Sequence, residues 1–348
     1  MIQCQLKLRP SKTQTAELER WLFHLASVWN WAIRKIEQDA RDGIYHSAFD
    51  LGSLIIGHGA KLGIAQKALV GTVQTARLAW QRCFKKQSRK PRFKGQRNRM
   101  NSIAFAKGPT FHGNKVSLPT FGRVRFHKQE VPAGHIGQMR IVKRASGWYL
   151  CLFIQAEPKT IARVASNQVG IDAGFSSLLT FSNGEKVSHP RELEASAARL
   201  AQAQRGGNKR LTARISERIA NRRKDRNHKL SRRLVAENIL IAFSADSHKA
   251  ISRRFGKSVA SSAHGQLRSM LAYKSRAGGT LYIEVNPKHS TMRCSACGEL
   301  SGPTGLSGLA VRRWRCACGA QHDRDVNAAI NTLHAALGTS VERQVIAA

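Results

Sequence analysis

Two cysteine pairs constrain the fold of this chain more than any other feature. Cys294 and Cys297 are separated by two residues, and Cys316 and Cys318 follow after eighteen more, separated by one. A glycine directly follows each pair and permits a tight turn. Four thiolates at nearly this spacing are typical of a zinc ribbon, although the second pair is one residue shorter than usual. We expect a structural zinc ion with all four positions filled by the protein; free thiols are the alternative.

The remaining three cysteines are scattered along the chain, at Cys4, Cys83 and Cys151. The sequence begins without the apolar core of a signal peptide, so we expect these residues to be buried thiols of a cytoplasmic protein. No stretch approaches the ~18 consecutive apolar residues of a membrane-spanning helix. The sequence therefore predicts no membrane partner.

The charge of the chain is strongly one-sided. Lysine and arginine number 58 against 21 aspartate and glutamate residues, which gives a net charge of +37 over 348 residues. Binding to a polyanion offsets the repulsion among positive charges on this scale. For a cytoplasmic protein, we expect that polyanion to be a nucleic acid. The 42% hydrophobic content is enough for two or three folded domains. Charge alone does not distinguish a ribosomal-type RNA binder from an enzyme.

The pattern in the first half of the chain predicts a β-domain with a helical insertion. Residues 2–9 alternate apolar and polar, and residues 12–40 and 60–86 have helical periodicity. From 102 to 156, short apolar stretches alternate with turns, as in a small β-barrel that also takes up the first strand. The basic run at 85–99 fits a loop that grips a nucleic-acid backbone or a solvated linker.

The second half of the chain changes to an α/β pattern. The strand QVGIDAG and its hairpin partners SSLLTFSNGEKVS come first, followed by basic helices at 192–238 that are interrupted near Gly206. The strands ILIAF and LYIEV and the final helix DVNAAINTLHAAL complete the pattern. We expect a mainly parallel sheet flanked by helices.

Two acidic positions belong to this α/β region. Asp172 ends an apolar strand and precedes Ala-Gly, and Asp325 lies at the start of the alanine-rich last helix. Carboxylates at the carboxyl edge of one sheet can hold two divalent ions about 4 Å apart, which is the arrangement that phosphodiester hydrolysis uses. A turn-capping role for Asp172 is the commoner alternative.

These motifs together resemble the TnpB proteins, transposon-encoded relatives of type V CRISPR effectors. The similarity rests on LRPSKTQ, VWNWAIR, PRFKG, GWYL, GIDAG, ANRRKDRNHKLSRRLVAEN, the cysteine pairs and HDRDVNAAIN, and it covers nearly the whole chain. It implies an α+β multidomain fold with a β-barrel wedge domain, an inserted helical recognition unit and an RNase H-like (RuvC) domain that carries a zinc ribbon. The implied boundaries are 1–10 and 97–160 (wedge), 11–96 (recognition), 166–292 and 319–348 (RuvC) and 293–318 (ribbon).

The resemblance also implies a function and its partners. TnpB proteins use a guide RNA from the transposon end and cut double-stranded target DNA at a RuvC site of Asp, Glu and Asp. Asp172 matches the first acid and Asp325 the third. Ser244 stands where the family has its glutamate, none of residues 241–245 is acidic, and the chain is expected to turn away before Asp246.

Three hypotheses follow from this departure. In the first, Glu284 on the next strand replaces the missing acid, and Asp172, Glu284 and Asp325 hold two Mg²⁺ ions of an active endonuclease. In the second, Ser244 marks a lost nuclease, and the chain is an RNA-guided DNA-binding protein or repressor. In the third, the chain is a guide-independent transposition accessory protein. All three are expected to be cytoplasmic, nucleoid-associated proteins of a prokaryote.

The basic helices provide candidates for contact with a guide–target heteroduplex. Contacts to phosphates carry no base specificity, which suits a protein whose sequence reading is delegated to RNA. A solvated helical face is the alternative. The candidate residues are Arg205, Lys209, Arg210, Arg222, Arg223, Lys224 and Arg226.

Overall fold

The fold is described from a computed structural model of the chain. The structure describes residues 2–105, 108–157, 160–174, 177–189, 192, 194–245, 262–286, 288–304 and 307–346. The chain divides into two compact units, Met1–Pro158 (the first unit) and Lys159–Ala348 (the second unit). Among the helices of the described ranges, none has the length and apolar character needed to cross a membrane.

The first unit contains one antiparallel sheet of seven strands in the order β2-β6-β7-β1-β5-β4-β3. The strand β1 pairs with β7 along residues 2–7 and with β5 at residues 8 and 9, so it joins the two halves of the sheet. The predicted inclusion of the first strand among these later strands is therefore observed, whereas closure into a barrel stays a prediction. The strands are β1 (Ile2–Arg9), β2 (Ser102–Phe105), β3 (Thr110–His112), β4 (Lys115–Leu118), β5 (Gly122–Phe126), β6 (His135–Arg144) and β7 (Gly147–Gln155).

The helices between β1 and β2 share their core with the sheet. Ser11 and Gln14 form a capping box at the start of the first helix. Buried side chains of the first and fourth helices, including Leu25 and Leu69, belong to the same hydrophobic cluster as Leu6 and Leu152 of the sheet. The insertion thus stabilises the sheet by apolar burial. The helices are α1 (Lys12–Arg41), α2 (Ala48–Ser53), α3 (His58–Leu62) and α4 (Gln66–Phe84).

The second unit is built on a five-stranded sheet in the order β10-β9-β8-β11-β12. The strands β8, β11 and β12 run parallel, and β9 runs antiparallel to β8. Parallel strands need crossover connections, and the long basic helices provide the first of them. The strands are β8 (Asn167–Asp172), β9 (Ser177–Phe181), β10 (Lys186–Ser188), β11 (Asn238–Ser244) and β12 (Leu281–Val285).

Helices cover both faces of this sheet. On one face, α6 and α7 pack against β8 and β11 through a cluster that includes Ile171, Phe243 and Leu271. On the other face, α8 packs against β11 and β12 through Ala242, Ile283 and Ala336. The helices are α5 (Glu194–Arg205), α6 (Lys209–Glu237), α7 (His264–Gly278) and α8 (Arg324–Ile346).

The α+β fold and the predicted order of elements are confirmed in this structure. The basic segment breaks between α5 and α6 at Gly207, whose φ of +62° favours glycine. The domain boundaries proposed within the two units stay predictions. Asp246, which follows the expected turn after β11, lies outside the described residues.

Candidate metal centres

Asp172 and Ser244 lie side by side at the carboxyl ends of two neighbouring parallel strands. Ile171 pairs with Phe243, so Asp172 and Ser244 occupy the next position on β8 and β11. Side chains alternate between the faces of a sheet, and Gly170 of β8 packs directly against Ala329 of α8. Asp172 is therefore on the face that α8 covers.

Ser244 has a structural role at this edge. Its side chain is buried, and its hydroxyl oxygen accepts a hydrogen bond of 3.1 Å from the backbone N–H of Ala173. The hydroxyl thus fastens the backbone immediately after Asp172. A serine hydroxyl brings no negative charge, so it does not supply the carboxylate that the resemblance predicts at this position.

Asp325 is in the first turn of α8, on the helix face that packs against the sheet. Ala329 and Thr332 follow it at helical spacing and are buried. Asp323 caps this helix, because its Oδ1 accepts hydrogen bonds of 3.1 Å from the N–H groups of Asp325 and Val326. A carboxylate in the first turn is stabilised by the positive end of the helix dipole.

The start of α8 lies at the carboxyl edge of the sheet. Asn327 donates hydrogen bonds to the carbonyl oxygens of Ser290 and Arg293, in the segment that follows β12. Asp172 and Asp325 are thus on the same face and at the same edge of the sheet. Both offer oxygen atoms, which are the ligands that Mg²⁺ prefers.

Glu284 lies on the opposite face of the sheet. Its neighbours on β12, Ile283 and Val285, pack with the α8 side, whereas Tyr282 packs with the side of α6 and α7. Alternation therefore points Glu284 toward α7, where its carboxylate accepts hydrogen bonds from the Nε–H and Nη2–H groups of Arg268. The hydroxyl of Tyr282 donates to the same carboxylate at 3.0 Å.

This placement differs from the expectation that Glu284 joins Asp172 and Asp325. The guanidinium of Arg268 is the main cause of a pKa of Glu284 below its ordinary value, so the carboxylate is held as an ion pair. Two strand spacings, each about 4.8 Å, also separate β12 from β8. The physical reason for the difference is the alternation of side chains along β12. Residues 283 and 285 face α8, so residue 284 faces the opposite side of the sheet.

The four predicted zinc ligands come together. The Sγ atoms of Cys294 and Cys318 are 3.8 Å apart, and those of Cys297 and Cys316 are 3.6 Å apart. A tetrahedral zinc ion with Zn–S bonds of about 2.3 Å places its sulfur ligands about 3.8 Å from one another. Across the described ranges, these cysteines are the one group of three or more His, Cys, Asp or Glu side chains that could share a metal ion.

Local turns form the two halves of this cluster. The N–H of Gly298 donates to the carbonyl of Cys294 at 2.9 Å, and that of Gly319 donates to the carbonyl of Cys316 at 3.0 Å. Both glycines have positive φ, +87° and +92°, which explains the glycine after each pair. The hairpin of β13 (Arg313–Arg315) and β14 (Gln321–Asp323) carries the second pair.

Two further side chains contact the cluster thiols. Ser301 Oγ lies 3.0 Å from the Sγ of Cys316, and His322 Nε2 lies 3.1 Å from the Sγ of Cys294. The hydrogen bond from Ser301 is the largest cause of a pKa of Cys316 below its ordinary value, which favours a thiolate at this sulfur. Neither side chain was predicted, since only the fold brings them to the cysteines.

The basic candidates on α5 and α6 differ in their environments. Arg226 is half-buried, donates to both carboxylate oxygens of Glu192 at 3.0 Å and donates to the carbonyl of Ser262. It therefore holds the fold together and does not present a free guanidinium to a phosphate, contrary to expectation. Arg223 is half-buried as well. The exposed candidates are Arg205, Lys209, Arg210, Arg222 and Lys224.

Family models match two stretches of the chain that lie almost entirely in the second unit. The model described as "Probable transposase" matches residues 155–244, which include β8 to β11. The model described as "Cas12f1-like, TNB domain" matches residues 264–332, from α7 through the cysteine cluster to the first turns of α8. The two matches cover both candidate metal centres.

The chain is also similar to individual proteins. It is 24% identical to the "Putative RNA-guided DNA endonuclease InsQ" of Escherichia coli (strain K12), over 74% of this chain and 71% of that one. Its fold is similar to that of the protein in a Cas12f1-sgRNA-target DNA complex, with a TM-score of 0.62, 11% identity and coverage of 92% and 83% of the two chains. At that identity, the likeness concerns the fold alone.

A stronger sequence similarity identifies the family. The "Putative RNA-guided DNA endonuclease" of Streptomyces pristinaespiralis is 33% identical over 278 residues, which are 74% of this chain and 68% of that protein. The family matches and the fold agree with it. This chain therefore belongs to the TnpB family of transposon-encoded RNA-guided nucleases.

Proposed function

We propose that this chain is an RNA-guided DNA endonuclease whose RuvC-type site uses Asp172 and Asp325 to bind Mg²⁺. The observation that supports this proposal is the placement of the residues Asp172 and Asp325 on one face and at one edge of the five-stranded sheet. The names of its relatives support guided action on DNA. The net charge of +37 supports a nucleic-acid partner.

The chemistry at this site depends on divalent ions and on how the chain holds their ligands. Bound Mg²⁺ would activate water and stabilise the leaving oxygen of a phosphodiester. The chain positions Asp172 by the hydrogen bond from Ala173 to Ser244, and it positions Asp325 through the cap formed by Asp323. Glu284 is not part of this ligand set, because Arg268 holds it on the other face.

Zinc has a structural role in this proposal. Cys294, Cys297, Cys316 and Cys318 would fill the four tetrahedral positions of a zinc ion, which would leave none open for water or substrate. The cluster would fix the segment between β12 and α8, which has little regular secondary structure of its own. Metal binding would thereby contribute directly to the folding free energy of that segment.

The exposed basic residues of α5 and α6 would contact the guide–target duplex. Arg205, Lys209, Arg210, Arg222 and Lys224 present their charges to solvent. Contacts to phosphates release counterions, so binding should weaken steeply with salt and show no base preference. Sequence reading would belong to the guide RNA, derived from the transposon end, and the target would be double-stranded DNA.

A nuclease-inactive, RNA-guided DNA-binding protein is the second candidate, favoured by a specific observation. Ser244 occupies the position beside Asp172 without a carboxylate, and the nearest candidate replacement, Glu284, faces away. With two acids, the affinity for a second metal ion should fall, since carboxylates supply most of the charge that retains divalent ions. Such a protein would bind its target without cutting it.

The first experiment asks which RNA accompanies the protein. The full chain is purified from cells that carry its native flanking DNA, and the bound RNA is sequenced. Enrichment of RNA from the transposon end supports both guided candidates. Absence of any enriched RNA would contradict them and favour a guide-independent accessory protein.

The second experiment separates cutting from binding. The guide-loaded protein is incubated with matched duplex DNA and Mg²⁺, and cleavage and retention of the DNA are measured together. We expect cleavage that Glu284→Gln leaves intact and that Asp172→Asn abolishes. Binding without cleavage by the wild type favours the second candidate, and cutting gained by Ser244→Glu would then identify the missing carboxylate. Asp246→Asn tests the next acid along the chain.

A further inference from the structure

His322 links the cysteine cluster to the last helix. It lies on β14 opposite Trp314 of β13, and the centroids of the two rings are 4.5 Å apart. Its Nε2 is 3.1 Å from the Sγ of Cys294, which is almost fully buried. The next residue, Asp323, is the cap of α8. The strand β14 thus contacts the cysteine cluster through His322, and its next residue, Asp323, caps the helix that carries Asp325.

We propose that His322 is a positioning residue that donates its Nε2–H to the zinc-bound thiolate of Cys294 and thereby fixes the first turn of α8. This inference rests on the zinc site proposed above. A thiolate bound to zinc has no proton to give, so the imidazole must be the donor, in the tautomer with the proton on Nε2. Four thiolates on one Zn²⁺ carry excess negative charge, which such a donor partly compensates.

A second contact joins the same parts of the second unit. The side-chain oxygen of Asn327 accepts a hydrogen bond of 2.9 Å from the N–H of Ser295, and its Nδ2 donates to the carbonyl of Arg293 at 2.8 Å. Ser295 and Arg293 flank Cys294 in sequence. The turn around Cys294 is therefore attached to α8 on both sides of Asp325, by His322 before it and by Asn327 after it.

Asp323, the cap of α8, is also attached to the five-stranded sheet. Asp323 Oδ2 accepts a hydrogen bond of 2.7 Å from the Nζ of Lys186 on β10. Burial tends to raise the pKa of Asp323, but Lys186 and the two helix N–H groups bring it below its ordinary value. The start of α8 is thus held between the sheet and the cluster. Loss of the His322 contact would release one of the three attachments and leave those made by Asn327 and Lys186.

Zinc affinity of the full chain tests the first part of the proposal. Competition with a chromogenic chelator is measured for the wild type, His322→Phe, His322→Gln and His334→Phe. We expect the Phe variant to lose about tenfold or more in zinc affinity, as is typical when an outer hydrogen bond to a metal ligand is removed. The Gln variant retains an N–H donor and should stay within roughly threefold of the wild type. His334 is an exposed histidine of α8, and its variant is the matched control.

Hydrogen exchange tests the second part, with zinc at saturation so that occupancy is equal. Amides of residues 324–330 should exchange faster in His322→Phe than in the wild type, while those of β8 are unchanged. Equal affinity and equal exchange in the Phe variant would overturn the inference and leave the zinc site intact. A wild-type chain that binds no zinc would overturn both. Should the Phe variant not fold, His322→Leu against His322→Gln provides the same contrast.

Discussion

The cysteine cluster and the acidic edge of the sheet are assembled in different ways. The four cysteines lie within 25 residues, and each pair is shaped by one turn of its own. Asp172 and Asp325 are about 150 positions apart and share a face of the sheet only because α8 packs on the face of β8 that carries Gly170 and Asp172. A local site can be inferred from spacing, whereas a site made by a sheet depends on which face each strand residue occupies.

The two centres should therefore respond differently to perturbation. Removing the zinc ion proposed for the cluster should take away the main constraint on a segment with little secondary structure, so its effect should be large but confined. Removing an acid at the sheet edge leaves the fold in place, since apolar clusters on both faces hold the sheet. The consequence there should be functional.

The largest effect is expected from chelation of zinc. Structural zinc contributes about 10 kcal/mol or more to the folding of small cysteine-ligated modules. Residues 293–323 should lose protection from hydrogen exchange on chelation, while β8 and β11 keep theirs. Cys294→Ser should have the same effect, and Cys83→Ser, at a half-buried thiol of α4, should leave zinc binding unchanged. Protection that survives chelation would show that the cluster does not depend on a metal ion.

The next largest effect concerns the two acids. Asp172→Asn and Asp325→Asn should each reduce cleavage by about 10³-fold or more, because groups that act as one unit are each indispensable. Thermal unfolding and guide-RNA binding should stay close to those of the wild type. Cleavage at a normal rate by either variant, or unfolding of the sheet in either variant, would contradict this difference between the two centres.

Much of this architecture was predictable from local patterns. Alternation, capping residues and glycine turns fixed the elements, as the capping box at Ser11 and the positive φ of Gly298 illustrate. The cysteine cluster was predictable for the same reason. Parallel pairing of β8 and β11 followed from the order of strands and helices.

The acidic site was only partly predictable, and Glu284 shows why. The strand LYIEV is short, and its sequence does not say which of its faces meets which helix. The structure assigns 283 and 285 to the side of α8, which sends 284 toward Arg268. His322 and Ser301 were missed for a related reason: hydrogen bonds to a thiol depend on hairpin geometry, and spacing alone carries no signal of them.

A smaller effect is expected where the last helix approaches the sheet. A Cβ at Gly170 would lie 2.0 Å from the carbonyl oxygen of Ala329 and 2.9 Å from the backbone N of Leu333. Backbone atoms cannot turn aside, so Gly170→Ala should lower the free energy of unfolding by about 3 kcal/mol and impair cleavage through Asp325. The control is Gly338→Ala on the same helix, where a Cβ meets nothing within 4 Å. An equal response of both variants would contradict the close approach.

The smallest effect should come from the Glu284 ion pair. Its carboxylate is about one-third exposed, and exposed ion pairs contribute at most about 1 kcal/mol. Glu284→Gln should therefore lower the free energy of unfolding slightly, and a double-mutant cycle with Arg268→Gln measures the coupling between the two side chains. Cleavage by Glu284→Gln should equal that of the wild type, whereas a metal ligand would lose it.

The pH dependence of this coupling identifies its origin. Arg268 is the main cause of a folded-state pKa of Glu284 below its ordinary value of 4.5. The unfolded chain therefore takes up the proton first as the pH falls. The coupling should be constant above about pH 5 and disappear as the pH falls through the lowered pKa. Hydrogen exchange of β12 in the four proteins of the cycle, between pH 3 and pH 7, measures it. A coupling that persists at the acid end would mean that packing against α7, and not the charge, holds Glu284 away from Asp172.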